Sequence, residues 1–192
     1  MMITATNLQK KLLSCDDYHR MIASGIINSD EKIELLNGEL LIMSPVGPNH
    51  GSIVNRLNHI LNRHIGSLGI VSVQNPITIA PHSEPEPDIA ILKPRDDFYF
   101  DAHPVPADVI LLIEVSDTTL AKDQQTKALV YAEAQIDNYW IVNLQEKQLE
   151  VYSQPVKGRY KLREIYLPGE KIKLVALDIE IKFETFFGKL EQ

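Results

Sequence analysis

Apolar and polar positions follow two periods along this chain, and those periods predict its elements. From Pro48 to Ile65 the apolar residues Ile53, Leu57, Ile60, Leu61 and Ile65 recur with helical spacing. Ahead of that helix, KIELLNGELLIM reads as two strands around Asn37-Gly38, the dipeptide best suited to a two-residue hairpin turn. Ser14-Cys15-Asp16-Asp17 has capping-box spacing, so a short helix through about Ala23 should precede the hairpin. Val71 to Ala80 reads as extended, with a break near Asn75-Pro76, and Ile89 to Leu92 as a short strand entered through the rigid segment HSEPEPD. PRDDFYFDAHPVPAD holds three prolines and no period, which predicts a surface loop.

Val109 to Val115 is apolar at both parities, the pattern of a strand in the middle of a sheet covered on both faces. After possible caps at Ser116 to Thr119, AKDQQTKALVYAEAQ is a good helix former. Asn138 to Leu144, Lys147 to Ser153 and RYKLREIY read as three more strands, and FETFFGKL as a short packing element. The order predicts a mixed α/β domain around one sheet.

Bulk properties narrow this picture. A chain of 192 residues suits one domain spanning 1–192. Cys15 is the only cysteine, so no intramolecular disulfide forms and a Cys-based zinc site is excluded. MMITATNLQKKLLS lacks the basic-then-apolar order of a signal peptide, and no apolar run approaches a membrane span, so a cytoplasmic location is expected. The net charge of −7 counts against a protein that coats nucleic acid by charge alone. It leaves room for an enzyme with a local basic strip, and it suits a site that gathers divalent cations.

The chemistry concentrates in VILLIEVSDTT, where five aliphatic residues run straight into Glu114. A carboxylate in that setting needs a partner, a proton or a metal. Asp88 sits where Pro85-Glu86-Pro87 meets the strand IAIL. If the two strands pair, both carboxylates converge, and a shared divalent cation bound by oxygen ligands would be magnesium or manganese. On the following helix Asp123, Lys127 and Tyr131 fall at i, i+4 and i+8 along one face. At about 1.5 Å rise per residue, Lys127 is only two turns in, close enough to reach back toward Glu114. Two carboxylates, a metal and a lysine suit hydrolysis of a phosphodiester.

Pro87-Asp88 followed by Glu114-Val115-Ser116 resembles the motif order of the PD-(D/E)XK nuclease superfamily. That superfamily usually carries lysine two residues after the acid, where this chain has Ser116. The stretch EVSDTTLAKDQQTKALVYAEAQIDNYWIV is similar to a large bacterial family of restriction-endonuclease-like proteins whose lysine has migrated to the following helix. The hairpin IELLNGEL and the later EVYSQPVKGRY extend the resemblance over most of the chain. It implies a restriction-endonuclease-like mixed central sheet flanked by helices, with an N-terminal hairpin and C-terminal antiparallel strands. It implies a magnesium- or manganese-dependent endonuclease acting on DNA, with Asp88 and Glu114 as metal ligands, the Val115 carbonyl as a further one, and Lys127 as catalytic lysine. Members often dimerise, which makes a homodimer an expectation too. The superfamily often has another acid on its first helix, but Pro48 to Ile65 contains none. Glu34 is a candidate substitute, and His50, at the helix start, a candidate neighbour.

Plainer readings stand beside these. Lys127 could form a surface ion pair with Asp123, worth roughly 0.3 to 0.5 kcal/mol, or Asp123 could hold Lys127 in place. His50, His59 and His64 are badly phased for one metal and read as surface histidines. Tyr131, Tyr139 and Trp140 read as core aromatics. Lys157, Arg159, Lys161 and Arg163 alternate as one face of a strand does, which offers a track for a phosphate backbone or simply a solvated face. The rival function is a catalytically inactive, nuclease-fold module that binds DNA or protein, accessory to a mobile element or toxin system.

Overall fold

The computed structural model describes residues 9–28, 30–43 and 45–187. Helix α1 (Cys15–Ala23) starts at the expected capping box: the Ser14 hydroxyl accepts the Asp17 N–H, and Asp17 accepts the Ser14 N–H. The hairpin of β1 (Ile33–Leu36) and β2 (Glu39–Ile42) turns at Asn37 and Gly38, whose φ values of 51° and 77° fit the primed turn that Asn-Gly favours. Helix α2 (Pro48–Ile65) has the predicted bounds and starts with proline, whose missing N–H is not needed there.

Six strands build the main sheet: β3 (Ile70–Val73), β4 (Ile89–Leu92), β5 (Val109–Ser116), β6 (Asn138–Asn143), β7 (Gln148–Val156) and β8 (Arg159–Tyr166), adjacent in that order. Only β5 and β6 pair in parallel, and the connection between them carries the helical segment that covers one face. That segment is α3 (Leu120–Lys122), a π-helical turn at Asp123–Lys127, and α4 (Ala128–Glu133). A second hairpin, β9 (Lys171–Leu174) and β10 (Ile179–Lys182), and the short α5 (Glu184–Phe187) close the other face with α2.

Alternation along β5 divides the core. Leu111, Ile113 and Val115 pack in the cluster with Leu57, Leu61 and Phe186, while Leu112 faces Tyr131 and Tyr139. Glu114 and Ser116 share the parity of Leu112, so they point toward the segment between β5 and β6. Burial on both faces matches the unbroken apolar run. No helix among the described residues is long and apolar enough to cross a membrane.

Three expectations need correction, and one hairpin goes unforeseen. The strand after α2 ends at Val73, because Gln74 takes a positive φ of 50° and turns the chain before Asn75-Pro76. The helix around Lys127 is not regular, since the Ala128 N–H bonds to the Asp123 carbonyl five residues back. The β9–β10 hairpin goes unpredicted, although KIKL and IEIK both alternate and could have been read as strands. Lys157 sits in the β7–β8 turn at φ 51°, off the strand face assigned to it. FETFFGKL is a packing element through Phe187, and its last three residues lie outside the described ones.

Candidate active site

The β4–β5 register pairs Ile89 with Ile113 and Ala90 with Leu112. One step further, the same register sets Asp88 opposite Glu114, where backbone pairing stops. In its place the Val115 N–H donates to Asp88 Oδ2 at 2.8 Å. Asp88 also accepts from Gln74 Nε2 at 3.2 Å, and His50 Nε2 lies 2.9 Å from its Oδ2. Pro87 and the β4 backbone fix one carboxylate while the central strand fixes the other. Both line one cleft of about 180 Å³, together with His50, Gln74, Lys122 and Lys127.

Lys127 is 1% exposed, so the surface ion-pair reading is overturned. Its ammonium lies 2.8 Å from Glu114 Oε1, 3.2 Å from Glu34 Oε2 and 3.4 Å from the Glu86 carbonyl. Those three acceptors match its three N–H bonds. The Tyr131 hydroxyl donates to the same Glu114 oxygen at 3.0 Å, so this core aromatic also reaches the cluster. Asp123 turns elsewhere, accepting from the Ser116 hydroxyl at 2.6 Å and the Thr119 hydroxyl at 2.7 Å. Ser116, buried in the usual lysine position, therefore ties the strand end to the π turn.

Electrostatics separate the carboxyls. Burial raises Glu114 to about 8, helped by the negative charges of Asp123 and Asp88 and only partly opposed by Lys127. Glu34 is buried too, but Lys127 and Lys122 outweigh burial and hold it below the ordinary carboxylate value. Lys127 is raised, because Glu114 and Glu34 overcome the burial that would discharge it. The directions fit one charge state: Lys127 charged, Glu34 ionised, and Glu114 the carboxyl that takes up a proton near neutrality. Burial opposes ionisation of Asp88, yet its bonds from His50, the Val115 N–H and Gln74 hold it below the usual range. The bond to Asp88 raises His50.

The surface reading of the histidines holds for His59 and His64, which are exposed. It fails for His50, whose side chain is largely buried and whose buried Nδ1 has no partner among the described residues. Gln74 and Lys122 are among the cleft residues that sequence reasoning missed, since neither stands in a motif or at an informative spacing. Among the described residues, no three His, Cys, Asp or Glu side chains gather closely enough to hold a metal by themselves. Arg159, Lys161 and Arg163 are exposed along β8, and Arg163 is held by Glu150 at 3.0 Å.

Comparison with known proteins bears on this arrangement. The crystal structure, at 1.96 Å resolution, of a "putative nuclease belonging to DUF820" from Anabaena variabilis superposes with a TM-score of 0.69. The match covers 91% of this chain and 97% of that one at 13% identity, so the likeness is one of fold. No curated protein matches the chain. A family profile covers residues 15–184, from α1 to the start of α5, and by that match the chain belongs to the Uma2 family, described as "Putative restriction endonuclease".

Proposed function

We propose that this chain works as one nuclease-like domain, a divalent-cation-dependent hydrolase of phosphodiester bonds with DNA as substrate. The observation that carries the reading is the contact of Lys127 with Glu114, across from Asp88, in one cleft. Asp88 and Glu114 would hold the cation. The Val115 N–H points at Asp88, and in a strand the carbonyl of the same residue shares that edge, which makes it a third oxygen donor. Two carboxylates and one carbonyl are a hard oxygen set that leaves positions for water, which suits magnesium or manganese. A Glu114 carboxyl that burial keeps protonated is also one that a nearby cation would ionise. Such a cation, when bound, supplies Lewis acidity toward a phosphate oxygen and acidifies water.

The chain's own groups do the rest. Asp88 is held in one orientation by His50, Gln74 and the Val115 N–H. Lys127 orients the attacking water and offsets charge that builds on the phosphoryl oxygens. Its 3.4 Å contact with the Glu86 carbonyl is the longest of the three, so it yields first to a water or substrate oxygen. Arg159 and Lys161 contact the phosphate backbone, with Lys157 at the adjoining turn and Arg163 restrained by Glu150. A homodimer would let two such sites address both strands.

A second reading, a nuclease-fold module that binds DNA or protein without cutting it, draws support from the Lys127 ammonium, which already meets Glu114, Glu34 and the Glu86 carbonyl. One experiment separates the two. Plasmid cleavage in manganese is followed for the parent, Asp88→Ala and Glu114→Ala, with folding checked by circular dichroism and manganese binding by calorimetry. The hydrolase reading expects the parent to bind and cut and both variants to fail while folded. Variants that cut as well as the parent sink the site assignment, and a parent that binds no manganese favours the binding module.

A further inference from the structure

The absence of an acid on α2 makes Glu34 an obvious candidate for a metal ligand, but its surroundings argue for a different task. The geometry points to Glu34 as a positioning residue that anchors the Lys127 and Lys122 ammonium groups from behind the cleft and takes no part in holding a cation. This inference rests on the reading of Lys127 as the working amine.

Glu34 has a fully buried side chain and, unlike Asp88, Glu114, Lys122 and Lys127, is not among the residues lining the cleft. Both of its oxygens are engaged. Oε1 accepts from Lys122 at 2.9 Å, while Oε2 meets Lys127 at 3.2 Å and the Glu86 N–H at 3.3 Å. It comes from the β1–β2 hairpin, which is separate from the sheet that carries Asp88 and Glu114. The lysines therefore gain a support independent of the two carboxylates they face.

The π turn is what brings both lysines to one carboxylate. Residues five apart lie about 140° round a regular α-helix, too far for a single short side chain to serve both. The wider turn at Asp123–Lys127 absorbs one residue, so Lys122 and Lys127 converge on Glu34. With Glu34 in place, Lys127 keeps a partner even when Glu114 is engaged elsewhere.

The test uses the full chain with Glu34→Gln, Glu34→Asp, Lys127→Met and the Glu34→Gln/Lys127→Met double variant. Limited acetylation, read by mass spectrometry against the exposed Lys173, reports whether Lys127 is held. Glu34→Gln should raise Lys127 labelling roughly fivefold or more, with partial protection restored by Glu34→Asp, which keeps the charge. Unchanged labelling in both Glu34 variants overturns the anchor. Manganese affinity of Glu34→Gln should fall by less than about a hundredfold, and a larger loss would make Glu34 a ligand after all. In single-turnover cleavage the double variant should be no slower than Lys127→Met alone, because Glu34 acts through that lysine; additive losses overturn this. If the parent neither binds manganese nor cuts, the hydrolase reading fails, yet labelling still decides whether Glu34 holds the lysine.

Discussion

Nζ of Lys127 lies 2.8 Å from Oε1 of Glu114, although the lysine is carried by the helical segment after the strand and not by the strand itself. A lysine two residues beyond the acid would share the strand's own rigidity. Here Ser116 fills that place and bonds to Asp123, so strand and π turn are tied together and the ammonium arrives from outside the sheet. The consequence is a cluster whose geometry depends on three separate supports: β5, the π turn and the β1–β2 hairpin.

Removing the ammonium should harm both fold and function. Lys127→Met leaves Glu114 and Glu34 facing each other with one lysine fewer, and breaking a buried pair costs about 3 to 5 kcal/mol. Urea unfolding of the two proteins measures that loss directly. On the proposed mechanism, single-turnover cleavage should also slow by roughly 10² to 10³, the usual effect of losing a group that stabilises developing charge. Cleavage at the parent rate by the folded variant would remove Lys127 from the chemistry.

Stability of the cation-free protein should fall with rising pH. The folded Glu114 carboxyl stands at about 8, above its ordinary 4.5, so its contribution is complete below 4.5 and is lost as pH rises through 8. Asp88 and Glu34 are shifted down, so their contributions disappear only toward acid. Melting temperatures from pH 5 to 9 should therefore decline more steeply in the parent than in Glu114→Gln, which has nothing to ionise. Parallel curves would contradict the shift.

Manganese binding should release protons. A cation at Asp88 and Glu114 must displace the proton that burial keeps on Glu114, so affinity climbs with pH up to about 8. Calorimetry in two buffers of different ionisation enthalpy should register about one proton released near neutral pH. Chelation should stop cleavage, and restoring manganese should revive it.

The hairpin turn should matter for the site as well as for the fold. Gly38 has φ +77°, and a Cβ there would come within 2.5 Å of the Leu12 Cβ. Gly38→Ala should lower stability by roughly 1 to 3 kcal/mol through strain and overpacking. Because β1 carries Glu34, the same change should loosen Lys127, which acetylation would detect.

Local chemistry explains which parts of the fold were legible in advance. Helix α2, strand β4 and strand β8 have the expected bounds because each is punctuated at both ends by proline, glycine or a change of period. Asn37-Gly38 specifies its turn by backbone preference alone. The apolar run into Glu114 announces both a central strand and a carboxylate that needs a partner, and family spacing names Lys127 as that partner.

Contacts between distant segments could not be read this way. His50 meets Asp88 across 38 residues and Lys122 meets Glu34 across 88, and no periodicity encodes such separations. The π turn is likewise invisible to a pattern that assumes regular helical phase, though it sets which lysines share a carboxylate. Sequence by itself determined most strands of the main sheet, the Asn37-Gly38 turn and the identity of the charged groups, because these follow from side-chain period and backbone preference. Tertiary structure alone decided which carboxyl keeps a proton and which lysine is anchored, because burial and charge pairing arise only when remote elements close on one cleft.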